Sequence, residues 1–385
     1  MSYSARILLV GSYAPDRQFS MLHYTSWLAA ALRRQGLQVD LAAPSARLGR
    51  FASRQGAARK WLGFIDKFLL FSAELRLRAS RYDLIHIADH SNAPYALVLG
   101  SRPLSVTCHD LIPIKVLSGE IDGQRLPSTG AYLQRLIRFA LHRIANVAFV
   151  SETTRGDFVR LIGPPSGTDE VIPNPVIGFG DMDKHRALQL LQQANLPVDR
   201  PFLLHVGSNL WYKNRAGAVE LFGLLRDHPE WAPSLRDSML VCVGPPLSDD
   251  ARRIASNWQR NLIVVSEASN ELIEALYMRA EALLYPSIEE GFGWPIIEAQ
   301  ACGCPVITTD KEPMRSIAGP AALLIDPAQP EQAAATIARN WAWLTSQSEA
   351  ARAHARSFSE AAAAAHYAAF VAKVLARART KDRAS

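Results

Sequence analysis

The chain has 385 residues, enough for two domains of ordinary size, and 49% of them are hydrophobic, enough for two sizeable cores. Its 42 Lys and Arg against 36 Asp and Glu give a net charge of +6, which suits an anionic ligand, an acidic membrane surface or nucleic acid without choosing among them. No apolar run reaches the ~20 residues of a membrane-spanning helix, no Gly-x-x-x-x-Gly-Lys-Ser/Thr loop supports an ATPase, and no nucleic-acid-binding motif stands out.

The chain enters a strand at Arg6-Ile7-Leu8-Leu9-Val10, with no signal peptide expected. Short apolar runs then recur at 39–43, 84–88, 106–109 and 147–151. The second half continues with 202–206, 239–243, 262–265, 282–285, 306–309 and 322–325. Helical lengths separate them, which predicts parallel sheets covered on both faces. Each half therefore reads as a doubly wound α/β domain. The Pro- and Gly-rich stretch 171–180 reads as the linker. The expected division is 1–175, 176–358 and a C-terminal helix within 359–385 that packs back on the first domain. Ligands bind at the carboxyl ends of parallel strands, so two facing domains are expected to form one cleft. Cys108, Cys242, Cys302 and Cys304 form no CxxC pair and read as buried free thiols.

The most informative stretch is Glu290-Gly291-Phe292-Gly293-Trp294-Pro295-Ile296-Ile297-Glu298. The run at 282–285 predicts a strand before it, and Pro295 is placed as a first-turn helix residue. Strand, glycine turn and helix start make an anion site, because backbone N–H groups and the positive end of the dipole converge there. Glu290 falls in the turn and Glu298 about one helical turn further in. An anion flanked by two acceptors suits a nucleotide sugar, with sugar hydroxyls at one end and ribose hydroxyls at the other. The plainer reading is a common Gly-x-Gly turn whose glutamates complement the dipole.

Other candidates follow from position. His109-Asp110 ends the strand at 106–109, where a His can donate to a phosphate or sugar hydroxyl. Lys213 follows the strand at 202–206 and can neutralise a leaving diphosphate. Asp181-x-Asp183 has metal-binding spacing, but no strand precedes it, and the expectation is that no metal is bound. Residues 47–81 carry nine Lys or Arg against Asp66 and Glu74, with Trp61, Phe64, Phe68 and Leu75 at helical spacing. That segment reads as an ordinary helix with a core face, or as a surface for anionic lipid.

These signals coincide in order and spacing, and together resemble family 4 of the retaining glycosyltransferases, of the GT-B fold. The stretch from Tyr285 to Val306 looks like that family's Glu-seven-Glu motif with its flanks. Residues 107–113 resemble its His-Asp strand end, and 151–155 with 171–175 its interdomain stretch. Residues 206–214 resemble its phosphate loop, and 322–327 match a late strand. The resemblance implies two facing Rossmann-like domains and a catalytic set of His109, Lys213 and Glu290. Glu290 would contact the donor sugar and Glu298 the ribose. Ser208, Lys213, Gly291 and the N–H groups of Phe292 and Gly293 would line the diphosphate. Phe19-Ser20 stands where the family often has Gly-Gly, which makes Ser20, with Asp110, a candidate for acceptor or loop contacts. Ser208 or Asn209 replaces an arginine often found early in the phosphate loop, leaving Lys213 as its main cation.

The expected activity is transfer of a hexose, mannose or glucose in type, from a nucleotide-diphosphate sugar to an acceptor hydroxyl, with retention and without a cofactor. The expected acceptor is a glycan or lipid-linked glycan, in polysaccharide or lipopolysaccharide assembly. The expected location is cytoplasmic, at the inner face of the membrane, with no nucleic acid involved. Two other classes remain: a nucleotide-sugar epimerase or hydrolase, which would form products without acceptor, and a binding protein without turnover.

Overall fold

The computed structural model describes residues 5–49, 57–196 and 198–382. It divides into two units, Met1–Pro173 with Glu360–Ser385, and Asn174–Ser359.

The first unit holds β1 (Arg6–Val10), β2 (Gln38–Ala42), β3 (Leu84–Ile87), β4 (Leu104–Cys108), β5 (Asn146–Phe149) and β6 (Asp169–Val171). They form one parallel sheet in the order β2-β1-β3-β4-β5-β6. The order reverses between β1 and β3, the switch point of a flavodoxin-like winding. Leu8, Val10, Ile85, Ile87, Val106, Val147 and Phe149 build its core. β3 and β5 are buried along their whole length, as strands with helices on both faces must be. The edge strand β6 escapes sequence reading because Asp169-Glu170-Val171 is short, polar and only half-buried.

The C-terminal helix Glu360–Asp382 belongs to this unit and packs on the helix Phe19–Arg34. Ala363, Ala364, Tyr367, Phe370, Val371 and Val374 are buried on one stripe with helical spacing. Trp27 donates its indole N–H to Glu360 at 2.9 Å, and Tyr24 donates to the Tyr367 hydroxyl at 2.5 Å.

The basic segment differs from its expected form. Residues 50–56 lie outside the described residues. Beyond them the chain is not one continuous α-helix: Ala57–Ile65 and Phe71–Arg78 flank a π-helical turn, Asp66–Leu70. The cause is Asp66. Its buried carboxylate accepts from Tyr13 Oη and the N–H groups of Leu48 and Gly49, and the extra residue turns it inward to reach them. Leu75 is buried and Phe64 and Phe68 half-buried, but Trp61 is 65% exposed rather than part of a core face.

The second unit holds β7 (Phe202–Val206), β8 (Met239–Val243), β9 (Leu262–Val265), β10 (Ala282–Tyr285), β11 (Val306–Thr309) and β12 (Leu323–Ile325). The parallel order β12-β11-β10-β7-β8-β9 is the Rossmann order, with its switch point between β7 and β10. Leu203, Leu240, Leu284 and Ile307 meet Phe222, Trp231 and Trp258 in its core. The four cysteines are buried and free. No helix among the described residues is long and apolar enough to cross a membrane.

Candidate functional site

In the second unit, two adjacent strands deliver their loops to one place. β7 leads through residues 207–210 to a short turn, Trp211–Lys213, and then to the helix Arg215–Asp227. β10 leads through residues 286–293 to the helix Trp294–Ala301. Two hydrogen bonds lace the loops together: Ile288 N–H to the Tyr212 carbonyl at 2.7 Å, and Asn214 Nδ2 to the Pro286 carbonyl at 3.0 Å. This is the switch point of the sheet, where an open α/β fold presents its ligand crevice.

The lacing brings Lys213 to Glu290. The ammonium donates to Glu290 Oε1 and Oε2 at 2.8 and 2.9 Å and to the Tyr285 hydroxyl at 3.0 Å. Tyr285 donates to Glu290 Oε1 at 2.6 Å. Burial alone would lower the Lys213 pKa. The Glu290 carboxylate and Tyr285 reverse that and hold it above the ordinary lysine value, so the cation is permanent at physiological pH. Sequence reading gave Lys213 to the diphosphate and Glu290 to the donor sugar. In the structure each is also the other's counter-ion.

Gly293 precedes the helix with φ of +101°, and a Cβ there would stand 3.1 Å from Ile296 Cδ1. A side chain would therefore be strained, and would cover the helix start. Pro295 sits in the first turn, and no side chain caps the helix. Gly291, Phe292 and Gly293 are buried in the turn. Glu298, one turn further in, accepts from the Tyr277 hydroxyl at 3.2 Å. Burial pushes its pKa up to about 7, with Tyr277 and Lys213 pulling the other way. Ser208 is half-buried in the loop after β7.

The first unit has a polar cluster at its own switch point. His109, just after β4, is 7% exposed, and its Nε2–H donates to the Ala88 carbonyl at 2.9 Å. Tyr24 meets the imidazole edge to face at 4.6 Å. Burial lowers the His109 pKa, Asp89 opposing, so the ring is neutral at physiological pH. Sequence reading placed this ring as a donor to a ligand, whereas here its Nε2 proton is used on the backbone. Asp110 accepts from the Ile112 N–H at 3.1 Å and caps the next turn. Asp89, missed in sequence reading, is buried beside His90 at 3.3 Å and accepts from the Ser91 N–H at 3.0 Å. Ser20 is exposed in the first turn of Phe19–Arg34.

Asp183 caps the helix Lys184–Gln193, accepting from the N–H groups of His185 and Arg186 at 2.9 Å each. That cap accounts for Asp183, while Asp181 donates its backbone N–H to Glu274 at 3.1 Å. No cluster suited to a metal occurs among the described residues. Sequence reading also missed Tyr277 and Tyr285, because both sit in apolar runs and their hydroxyls count as core until the loops are placed.

Residues 23–177 match the family model described as Glycosyltransferase Family 4, and residues 189–360 that of Glycosyl transferases group 1. The chain is 26% identical over 205 residues to O-antigen chain mannosyltransferase B of Escherichia coli, covering 51% of each. It is 25% identical over 228 residues to O-antigen chain mannosyltransferase RfbU of Salmonella typhimurium, covering 59% of this chain and 57% of that protein. The matches thus span only about half the length of these relatives. Among solved structures, the Anabaena protein HepE in complex with UDP and glucose superposes with a TM-score of 0.71 at 16% identity, over 96% of this chain and 99% of that one. That likeness gives the fold, GT-B, with its two Rossmann-like units. With one family model on each unit and the Glu290-to-Glu298 turn at the Rossmann switch point, the chain belongs to glycosyltransferase family 4.

Proposed function

We propose that this protein transfers a hexosyl group, mannosyl or glucosyl in type, from a nucleoside diphosphate sugar to an acceptor hydroxyl of a growing glycan, with retention and without a metal. The observation that carries the reading is the meeting of Lys213, Glu290 and the Gly293 helix start at the ends of β7 and β10. Support for the substrate class comes from the mannosyltransferase relatives and from the fold neighbour that holds UDP and glucose.

In this reading the diphosphate faces the N–H groups of Phe292 and Gly293, with Ser208 beside it. Lys213 and the helix dipole stabilise the charge that grows as the C1–O bond to phosphate breaks. Glu290 then exchanges the ammonium for sugar hydroxyls, and Glu298 accepts from the ribose. The acceptor oxygen bonds to C1 on the face the diphosphate leaves, and the departing phosphate oxygen takes the acceptor's proton. In the first unit, His109 is assigned to the sugar or its phosphate, with Asp110 and Ser20 near the acceptor.

The test is incubation with UDP-, GDP- and ADP-hexoses and glycan acceptors, reading nucleoside diphosphate release and product anomer by NMR. The reading expects acceptor-dependent release, retained configuration and full rate in excess EDTA. Release without acceptor would point to a hydrolase or epimerase. Inactivation by EDTA with rescue by manganese would overturn the metal-free chemistry.

We further propose action at the cytoplasmic face of an anionic membrane, because Trp61, Leu69 and Leu77 are exposed on a segment that also carries exposed Arg76 and Arg81. Cosedimentation with anionic but not zwitterionic vesicles is expected; equal partition would remove the proposal.

A further inference from the structure

Arg215 is a cation placed where several physical costs coincide. It is the first residue of the helix Arg215–Asp227, so its charge meets the positive end of the dipole. It is 5% exposed. Its Nη1 donates to Asn209 Oδ1 at 2.8 Å and to the Pro245 carbonyl, while Nε and Nη2 are buried without a hydrogen-bond partner. Among the described residues no carboxylate forms an ion pair with it; burial lowers its pKa, opposed by the adjacent Cys242 side chain, through its charge when ionised and through a weak N–H···S contact. Burial pushes that thiol itself up to about 12, so it is neutral at physiological pH and brings no negative charge.

The guanidinium lies where the loops after β7 and β8 close on each other. Gly244 has φ of +134°, and a Cβ there would stand 2.1 Å from the Gly207 carbonyl oxygen and 3.7 Å from Arg215 Cζ. Asn209, which accepts from Arg215, donates in turn to the Pro246 carbonyl at 2.6 Å. Residues 207–212 carry no cation of their own, and Lys213 is paired with Glu290 until sugar hydroxyls take its place. A buried charge without a counter-ion is strongly unfavourable, and an anion held at the same loop offsets it.

We infer that Arg215 is the buried positioning residue of the diphosphate site: it ties the loop at 207–209 to the loop at 244–246 and supplies the positive charge that residues 207–212 lack. Its counter-ion is the diphosphate of the donor. The inference rests on the nucleotide-sugar reading above. It also explains why a cation is kept at a helix start, where an uncharged or acidic residue would be the stable choice.

The experiment compares Arg215→Gln and Arg215→Lys with the natural protein. Binding of UDP, GDP and ADP, and of uridine, guanosine and adenosine, is measured by calorimetry. For the base that the natural protein prefers, Arg215→Gln should weaken the diphosphate at least tenfold and leave the nucleoside within twofold. Arg215→Lys should stay within about threefold for both. Without nucleotide, Arg215→Gln should melt no lower than the natural protein, since an unbalanced charge has been removed. Inorganic pyrophosphate should raise the melting temperature of the natural protein, a measurement that needs no variant. Diphosphate binding unchanged in Arg215→Gln overturns the inference. So does an equal loss for diphosphate and nucleoside with a lower melting temperature, which would mark a purely structural tie. A natural protein that binds none of the three diphosphates overturns the nucleotide-sugar reading itself.

Discussion

Lys213 has two claims on its charge. It is held by Glu290 and Tyr285 in the structure, and the proposed reaction asks it to stabilise a leaving diphosphate. Those roles separate experimentally. Lys213→Ala should lower turnover by about 10²–10³-fold, the loss expected for one preorganised charge-stabilising group. It should also destabilise the fold by roughly 3 kcal/mol, because the Glu290 side chain, 7% exposed, is left as an unpaired carboxylate. Adding Glu290→Gln should return most of the stability and none of the turnover. Denaturant unfolding and nucleoside diphosphate release check the two halves, and a Lys213→Ala protein with normal turnover would leave the lysine a purely structural partner. From sequence, Lys213 reads as a cation in a loop, and loop lysines are usually dispensable for stability. The difference comes from one strand away: the loops after β7 and β10 are laced, and no local pattern shows that lacing.

The helix Trp294–Ala301 carries the next consequence, in its fifth residue. Glu298 has a pKa of about 7, raised first by burial, so near neutrality it is divided between acid and carboxylate. A carboxylate accepts from a ribose hydroxyl pair better than a carboxylic acid does. The sign follows: affinity for an intact nucleotide sugar should rise as pH increases through 7 and fall below it. Glu298→Gln should flatten the profile and hold affinity at or below the low-pH level. Calorimetry between pH 6 and 8 checks this, and an unchanged slope in the variant would take Glu298 out of the site. This helix and its turn were legible in sequence because glycines, Pro295 and flanking glutamates mark a local event. Eleven strands were legible for a similar reason, as each is an apolar run bounded by turn residues. β6 was not, because an edge strand half in water needs no apolar run. The π-turn at Asp66–Leu70 was not legible either, since the donors that hold Asp66 come from the loops after β1 and β2. His109 was found as a strand end, but its partner Ala88 belongs to another strand end.

At the scale of the molecule, the chain leaves the first unit after Pro173 and returns to it at Glu360. The returning helix buries Tyr367, Phe370, Val371 and Val374. At about 1.5–3 kcal/mol for each large apolar side chain, the burial amounts to roughly 6–12 kcal/mol. That equals the whole stability of an ordinary domain, about 5–15 kcal/mol. Ending the chain at Ser359 should therefore abolish the first unit's unfolding transition in calorimetry while leaving the second unit's midpoint in place. A truncated protein that keeps both transitions would show the helix to be an accessory. The return also sets an order of events on the ribosome. The second unit is continuous in sequence and can close as soon as its last strand and helices emerge. The first unit, begun earlier, must wait with an uncovered apolar face on Phe19–Arg34 while roughly 190 further residues are made, about 10–40 s at ~5–20 residues per second. Of the two units, the one whose translation begins earlier is completed later, and during that interval its apolar face is open to water.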